Sequence, residues 1–292
     1  GFDTKKEAQI AAAKIIEEFY EGTYIHESNI SFKDFSMQWL KMYESSGVVK
    51  TSTVRVRKHE IQRLMDYFAK LKLKDITLRR YQNALVDLKN RGYAINTIAG
   101  AHRTARMIFK KAIELDLIKK DPTEFAVVPR TQKTVEELET EKDIPKYLER
   151  NELLHFLETA KTKGLDRDYP IFLTLAYTGM RIGELAALKW SDIDFEEQTI
   201  SITKTYYNPT NNTKSYQLLT PKTKASARVI DVDVNVLNEL EKLRSTQNKI
   251  KMKYRKTYYD KDFVFAKLEN VDLLGYPENL KMIRLRMARL LR

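Results

Sequence analysis

Cysteine is absent from the 292-residue chain, which excludes disulfides, thiolate metal sites and cysteine nucleophiles and agrees with a reducing cytoplasm. No apolar run reaches the roughly 20 residues that span a bilayer. The opening GFDTKKEAQIAAAKIIEEF reads as an amphipathic helix rather than a secretory signal. No internal repeat or low-complexity tract occurs, and the four histidines, His26, His59, His102 and His155, are isolated from one another, which argues against a zinc site. The expectation is a soluble, cytoplasmic, globular protein. With 42% hydrophobic and 10% aromatic residues, it can build a core in each of two domains.

What the chain has in excess is positive charge, +12 in net, and its placement matters more than its sum. Residues 1–29 hold 3 basic and 6 acidic side chains, residues 30–120 hold 20 and 8, and residues 121–292 hold 29 and 26. The middle segment alone therefore carries an excess equal to the whole net charge. Like charges at that density repel unless an anionic partner neutralises them. Nucleic acid fits that role best; anionic lipid fits poorly, because no helix pairs a bare apolar face with flanking lysines.

The basic segment reads as four helices. SFKDFSMQWLKMYESSG opens on Ser31 as N-cap with Asp34 at the capping-box position, and its apolar residues recur at helical spacing up to Gly47. A second helix runs from about Thr53 to Leu71, and a third, capped by Thr77 and stopped by Gly92, carries Leu78, Tyr81, Leu85 and Leu88 inward. The fourth, from Asn96 to about Leu115, buries Ile98, Ala101, Ala105 and Ile108 and shows Arg103, Arg106, Lys110 and Lys111 on its other face. Four amphipathic helices make a small bundle.

Asp121-Pro122 ends that unit, and TQKTVEELETEKDIPKYL has the texture of a linker. Helical patterns at about 150–163 and 169–178 follow. The period then changes to two in TISITKTYY, YQLLT and ARVIDVD, with the turn-rich NPTNNTKS joining the first two as a hairpin. A helix from about Asn235 to Lys256, a short strand DFVFA and a final amphipathic helix ENLKMIRLRMARLLR complete the chain.

Two stretches carry candidate chemistry. In LAYTGMRIGELAALKW, Gly179 sits where a helix ends and a left-handed residue is wanted, so Arg181 lies in a tight bend with Glu184 three residues on to fix its rotamer. This is either a structural Arg–Glu cap or a guanidinium held for a ligand. In LLTPKTKASARVIDV, Lys222 and Lys224 stand at the turn between two strands, where a lysine is either solvated or able to reach a phosphate. Asp192 with Asp194 and Asp231 with Asp233 form D-x-D pairs that could chelate magnesium as in a nuclease, but strand alternation accounts for both.

Together, the T-G-x-R-x-x-E-L motif, the lysines of TPKTKASAR and the basic bundle ahead of them resemble the tyrosine recombinase (phage integrase) family, closest to integrases of Gram-positive phages and conjugative transposons. The resemblance implies a mainly α protein with a small β-sheet. Residues 1–29 would be a helix from the end of an arm-binding domain, and 30–120 a helical core-type DNA-binding domain. Residues 121–146 would be a linker and 147–292 an incomplete catalytic domain of mixed α and β structure. It further implies a site-specific recombinase that integrates and excises a mobile element through a 3′-phosphotyrosyl intermediate, leaving a free 5′-hydroxyl and consuming no metal or nucleotide cofactor.

Arg181 matches the family's first catalytic arginine, Glu184 its acidic buttress, and Lys222 its lysine, with Lys224 the second choice. That set suits the chemistry: a phosphorane gathers negative charge that fixed guanidinium donors stabilise, and a lysine ammonium can protonate the leaving 5′-oxygen. Arg103, Arg106 and Lys110 are candidates for the major groove, and Arg55, Arg57, Lys58, Arg79 and Arg80 for phosphates. The implied partners are double-stranded DNA core sites, a homodimer to homotetramer assembled on them, and an excision or directionality factor. The family's H-x-x-R-H motif and tyrosine nucleophile have no match here. No histidine follows Arg181, and Tyr258 and Tyr259 lack the context and read as surface or DNA-facing residues. The chain is therefore expected to bind DNA without recombining it. The alternative is a non-catalytic DNA-binding regulator on the same fold.

Overall fold

In the computed structural model, residues 3–20, 28–130, 135, 147–221 and 226–292 are described. The chain divides into two compact units, Gly1–Lys142 and Asp143–Arg292.

The first unit is helical: α1 (Lys5–Tyr20), α2 (Phe32–Ser45), α3 (Thr51–Phe68), α4 (Leu78–Asn90) and α5 (Ile95–Glu114). Both expected caps form. Ser31 Oγ accepts from the Asp34 amide at 3.1 Å and Thr77 Oγ1 from the Arg80 amide at 3.3 Å, satisfying amides that the first helical turn leaves orphaned. The core joins Phe32, Phe35, Ile61, Leu64, Phe68, Tyr81, Leu85, Ile98, Ile108 and Phe109. Leu78, expected inward, is exposed at the first position of α4, where it borders a groove with Ile76 and Ile118.

The first ten residues of the expected linker also belong to this unit. Asp121 Oδ1 accepts from both the amide and the hydroxyl of buried Thr123, and Gln82 exchanges two 2.9 Å hydrogen bonds with the Val127 backbone. Ala126 and Val128 pack on the bundle core. The rest of that segment, apart from Val135, lies outside the described residues.

The second unit contains α6 (Arg150–Thr162), α7 (Asp168–Thr178), α8 (Ile182–Ala187), β1 (Ile193–Asp194), β2 (Thr199–Ile202), β3 (Thr205–Tyr207), β4 (Gln217–Leu219), β5 (Arg228–Asp231), α9 (Val234–Lys253) and α10 (Leu280–Leu290). An antiparallel sheet of order β1-β2-β5 sets Ile200 opposite Ile230 and buries Ile200 in a core with Ile171, Phe172, Leu185, Val236, Leu240, Phe265 and Ile283.

TISITKTYY, expected as one strand, is two. β2 serves the main core, whereas Tyr206 of β3 packs in a separate apolar cluster with Ala186 and Ala187. The strand breaks between them so that each half reaches its own core. β3 pairs with β4 in the expected hairpin, Thr205 opposite Leu219. DFVFA forms no strand, only isolated bridges from Lys189 to Phe263 and from Ala266 to Pro277. All four residues from Phe263 to Ala266 are buried, and the segment is held by side-chain packing, with a single bridge at each end.

α10 is held by charge. Asp168, fully buried, accepts from Arg286 at 3.1 Å and from Arg289 at 2.8 Å, and Arg286 also donates to the Asp166 carbonyl.

Candidate functional site

The bend after α7 is built as its sequence suggests. Gly179 has φ +59° and donates to the Leu175 carbonyl, a conformation that needs no Cβ. The chain then turns at extended Arg181, the N-cap of α8. Glu184 accepts from the Arg181 amide through Oε2 at 3.0 Å and from the Arg181 guanidinium, Nη1 to Oε1, also at 3.0 Å. The two partners differ in exposure: the Glu184 side chain is 4% exposed and that of Arg181 is 73%. A carboxylate inside the fold thus holds a guanidinium that projects into solvent.

Glu184 has a further partner. Arg228 at the start of β5 donates Nη2 to Oε2 at 2.9 Å and Nη1 to Oε1 at 3.4 Å. Burial would raise the Glu184 carboxyl; hydrogen bonds from Arg228 and Arg181 outweigh it and hold the group below its ordinary value. Two cations sharing one carboxylate leave a net positive charge at the surface, and the exposed Arg181 supplies fixed donors for an oxyanion such as a backbone phosphate.

Close packing under this bend sets its depth. A Cβ on Gly183 would stand 2.6 Å from Thr205 Oγ1, so with glycine there α8 lies against β3 without displacing that side chain.

Arg228 was missed by sequence reasoning, although the strand carried a signal. In β5, Arg228 and Ile230 share the half-buried face while Val229 and Asp231 are exposed. The exposed valine disguises which face turns inward.

Lys222 and Lys224 lie outside the described residues. The strands flanking them do not pair with each other as expected: β4 pairs with β3, and β5 with β2. The Ile200–Ile230 register needed by the core commits β5 to β2.

The D-x-D pairs are each used locally. Asp192 accepts from Lys204 Nζ at 2.5 and 2.7 Å and from the Lys189 amide, Asp194 accepts from the amides of Glu196 and Glu197, and Asp233 caps α9. Asp231 is exposed on β5. Tyr258 and Tyr259 are half-buried, with their hydroxyls engaged inside the unit. The Tyr258 hydroxyl accepts from Gln247 at 2.9 Å, and Tyr259 stacks on Tyr276 at 4.0 Å with its hydroxyl 3.1 Å from that of Tyr216. Aromatic stacking and the buried Gln247 draw both rings in.

In the helical unit, Arg103, Arg106 and Lys110 are exposed along one side of α5, Arg79 and Arg80 at the first turn of α4, and Arg55 and Lys58 on α3. Arg57 is different: its side chain is 13% exposed, ion-paired to Glu60 at 2.8 Å and bonded to Thr104 at 3.0 Å. Arg106 and Lys110 border a groove of about 970 Å³ with Lys74, Lys119 and Lys120, over a floor that includes Ile76, Ile113 and Ile118. Lys74, Lys119 and Lys120 were not singled out in the sequence, because a lysine in a loop has no period to betray its face.

Among the described residues no helix is long and apolar enough to cross a membrane. Residues 146–270 match the phage integrase family, and residues 31–88 match the phage integrase N-terminal SAM-like domain. The prophage ps2 probable integrase of Lactococcus lactis subsp. lactis (strain IL1403) is 25% identical over 287 residues, covering 96% of this chain and 72% of that protein. The ICEBs1 integrase of Bacillus subtilis (strain 168) is 26% identical over 250 residues, covering 85% and 63%.

Among solved structures, the Tn1549 transposon integrase in complex with transposon right end DNA superposes with a TM-score of 0.65 at 21% identity, covering 86% of this chain and 74% of that one. A lambda integrase tetramer bound to a Holliday junction superposes with 0.57 at 15%, covering 97% and 75%. The mainly helical fold with small antiparallel sheets is thus shared with both.

Proposed function

The chain belongs to the phage integrase family of tyrosine recombinases, and from that premise we propose that it grips duplex DNA with its helical unit and presents Arg181 to a scissile phosphate. The observation that carries this reading is the exposed Arg181 guanidinium anchored on the buried Glu184 carboxylate. In the strand cleavage so proposed, a tyrosine hydroxyl attacks the phosphorus and the 5′-oxygen departs with a proton. Negative charge on the non-bridging oxygens is met by Arg181, and loss of one such donor costs a factor of about 10² to 10³. Lys222, or Lys224 beside it, is the proton donor in this scheme.

The exposed cations of α3, α4 and α5 supply sequence-independent phosphate contacts, with Arg103, Arg106 and Lys110 directed to base edges. Relatives bound to DNA include a lambda integrase tetramer, which supports assembly of this protein into dimers and tetramers on paired core sites; an excision factor that sets direction is a further part of the proposal.

A core-site duplex nicked beside the scissile phosphate tests the reading. The complete gene product should trap a covalent protein–DNA adduct in EDTA, and Arg181→Ala should lose it while still binding. Binding with no adduct at any site would leave a DNA-binding regulator, and cleavage abolished by EDTA would mark a metal-dependent nuclease.

A further inference from the structure

Glu184 is the hub of two guanidiniums, and how they share it decides where Arg181 points. A carboxylate facing a single arginine is ordinarily gripped through both oxygens, fork on fork. Here Arg228 takes that position, with Nη2 on Oε2 at 2.9 Å and Nη1 within 3.4 Å of Oε1. Arg181 is left one side-chain bond, Nη1 to Oε1, and its amide bond to Oε2. The Arg228 side chain is 30% exposed against 73% for Arg181, so Arg228 is the inner partner. Its place is set by the β-ladder, where it stands opposite Ile202, and its Nη1 also donates to the Ser226 carbonyl at 3.3 Å. Arg228 thus ties the start of β5 to the bend that carries Arg181.

We propose that Arg228 is a positioning residue for strand cleavage: by occupying the Glu184 carboxylate it keeps Arg181 from closing down on Glu184 and holds that guanidinium outward, where a phosphate can reach it. This rests on the reading of Arg181 as a phosphate-binding catalytic group. Without Arg228 the carboxylate is free to turn and take Arg181 through both oxygens, which withdraws the donor by an ångström or more, a displacement that costs about 10²-fold in rate.

The test uses the complete gene product on the nicked duplex, with the first-order rate constant of adduct formation at saturating protein and the Kd for the same duplex read separately. Arg228→Met should slow adduct formation about tenfold to a hundredfold with Kd changed less than about threefold. Arg228→Lys, which keeps a cation beside the carboxylate, should recover most of the rate. In a Glu184→Ala background Arg228→Met should add less than about twofold, because the intermediary is gone.

The same loss in both backgrounds would overturn the proposal, since Arg228 would then act on DNA directly; so would an unchanged rate, or a Kd that rises in step with the rate loss. Should Arg228→Met melt below the assay temperature, Arg228→Gln, which also removes the cation, is read with and without Glu184→Ala by the same rule. Arg181→Ala separates the two claims: if it forms adduct normally, the catalytic reading itself fails.

Discussion

Two arginines that look alike in the sequence do opposite work. Arg57 and Arg103 both lie on basic helices of the first unit, yet Arg57 is drawn inward by the buried Glu60, which also accepts the Thr104 hydroxyl at 2.5 Å. Its ion-pair partner is the oppositely charged Glu60 carboxylate, 11% exposed, so removing the guanidinium strands that charge. Arg57→Ala should therefore destabilise the helical unit by about 3 kcal/mol, seen as an earlier urea midpoint, with DNA affinity of the still-folded protein little changed. Arg103→Ala should do the reverse: an unchanged unfolding curve and weaker binding in a duplex titration. If Arg57→Ala weakened binding without touching stability, the inward placement of this side chain would be wrong. Gly100 belongs to the same arrangement, because a Cβ there would meet Glu60 Oε1 at 2.3 Å.

At the scale of elements, the site depends on how α8 and α10 are seated. α8 is one and a half turns long and has little stability of its own; it is fixed by Gly179 behind it, Glu184 within it and β3 beneath Gly183. Gly183→Ala must displace the Thr205 hydroxyl, by turning its side chain or shifting β3, and overpacking of this kind costs about 1–3 kcal/mol. Thermal melting of the variant should show that loss, together with slower adduct formation in the complete gene product. An unchanged melting curve would mean the contact is loose.

The entry to α10 is electrostatic. Burial would push the Glu278 carboxyl up, but Arg167 and Lys267, with the Asn279 amide, hold it below its ordinary value. A group depressed in the folded state contributes fully above its unfolded value, near 4.3 for Glu, and loses that contribution as pH falls through the lower folded value. Wild type should therefore lose stability with acid in that window. Glu278→Gln should start less stable at neutral pH and show a flatter decline below about pH 4.3. Parallel melting curves for the two proteins from pH 6 to pH 3, as approximate limits around that window, would count against this account.

For the whole molecule, charge distribution makes the decisive prediction. Residues 30–120 hold 20 basic against 8 acidic side chains, and cations are exposed on α3, α4 and α5. Each phosphate neutralised releases condensed counterions, so duplex affinity should fall by about 10³ or more between about 50 and 200 mM salt if six or more contacts form. Anisotropy titrations across that range give the slope. A flat dependence would remove the electrostatic part of the proposed interface while leaving the Arg181 site untouched.

Local chemistry was determined by the sequence alone. The N-caps at Ser31 and Thr77, the left-handed Gly179, the four-helix texture of the basic segment and the Arg181–Glu184 pair each rest on contacts three or four residues apart, which spacing can encode. What only the tertiary structure decided involves partners far apart in the chain. Arg228 meets Glu184 across 44 positions, Arg57 meets Thr104 across 47, and Arg286 meets Asp168 across 118. The split of TISITKTYY between two sheets likewise followed from two separate cores competing for one strand. Periodicity reports which face of an element is apolar, but a buried charge is placed by whichever distant group can neutralise it, and that choice is made only when the elements pack.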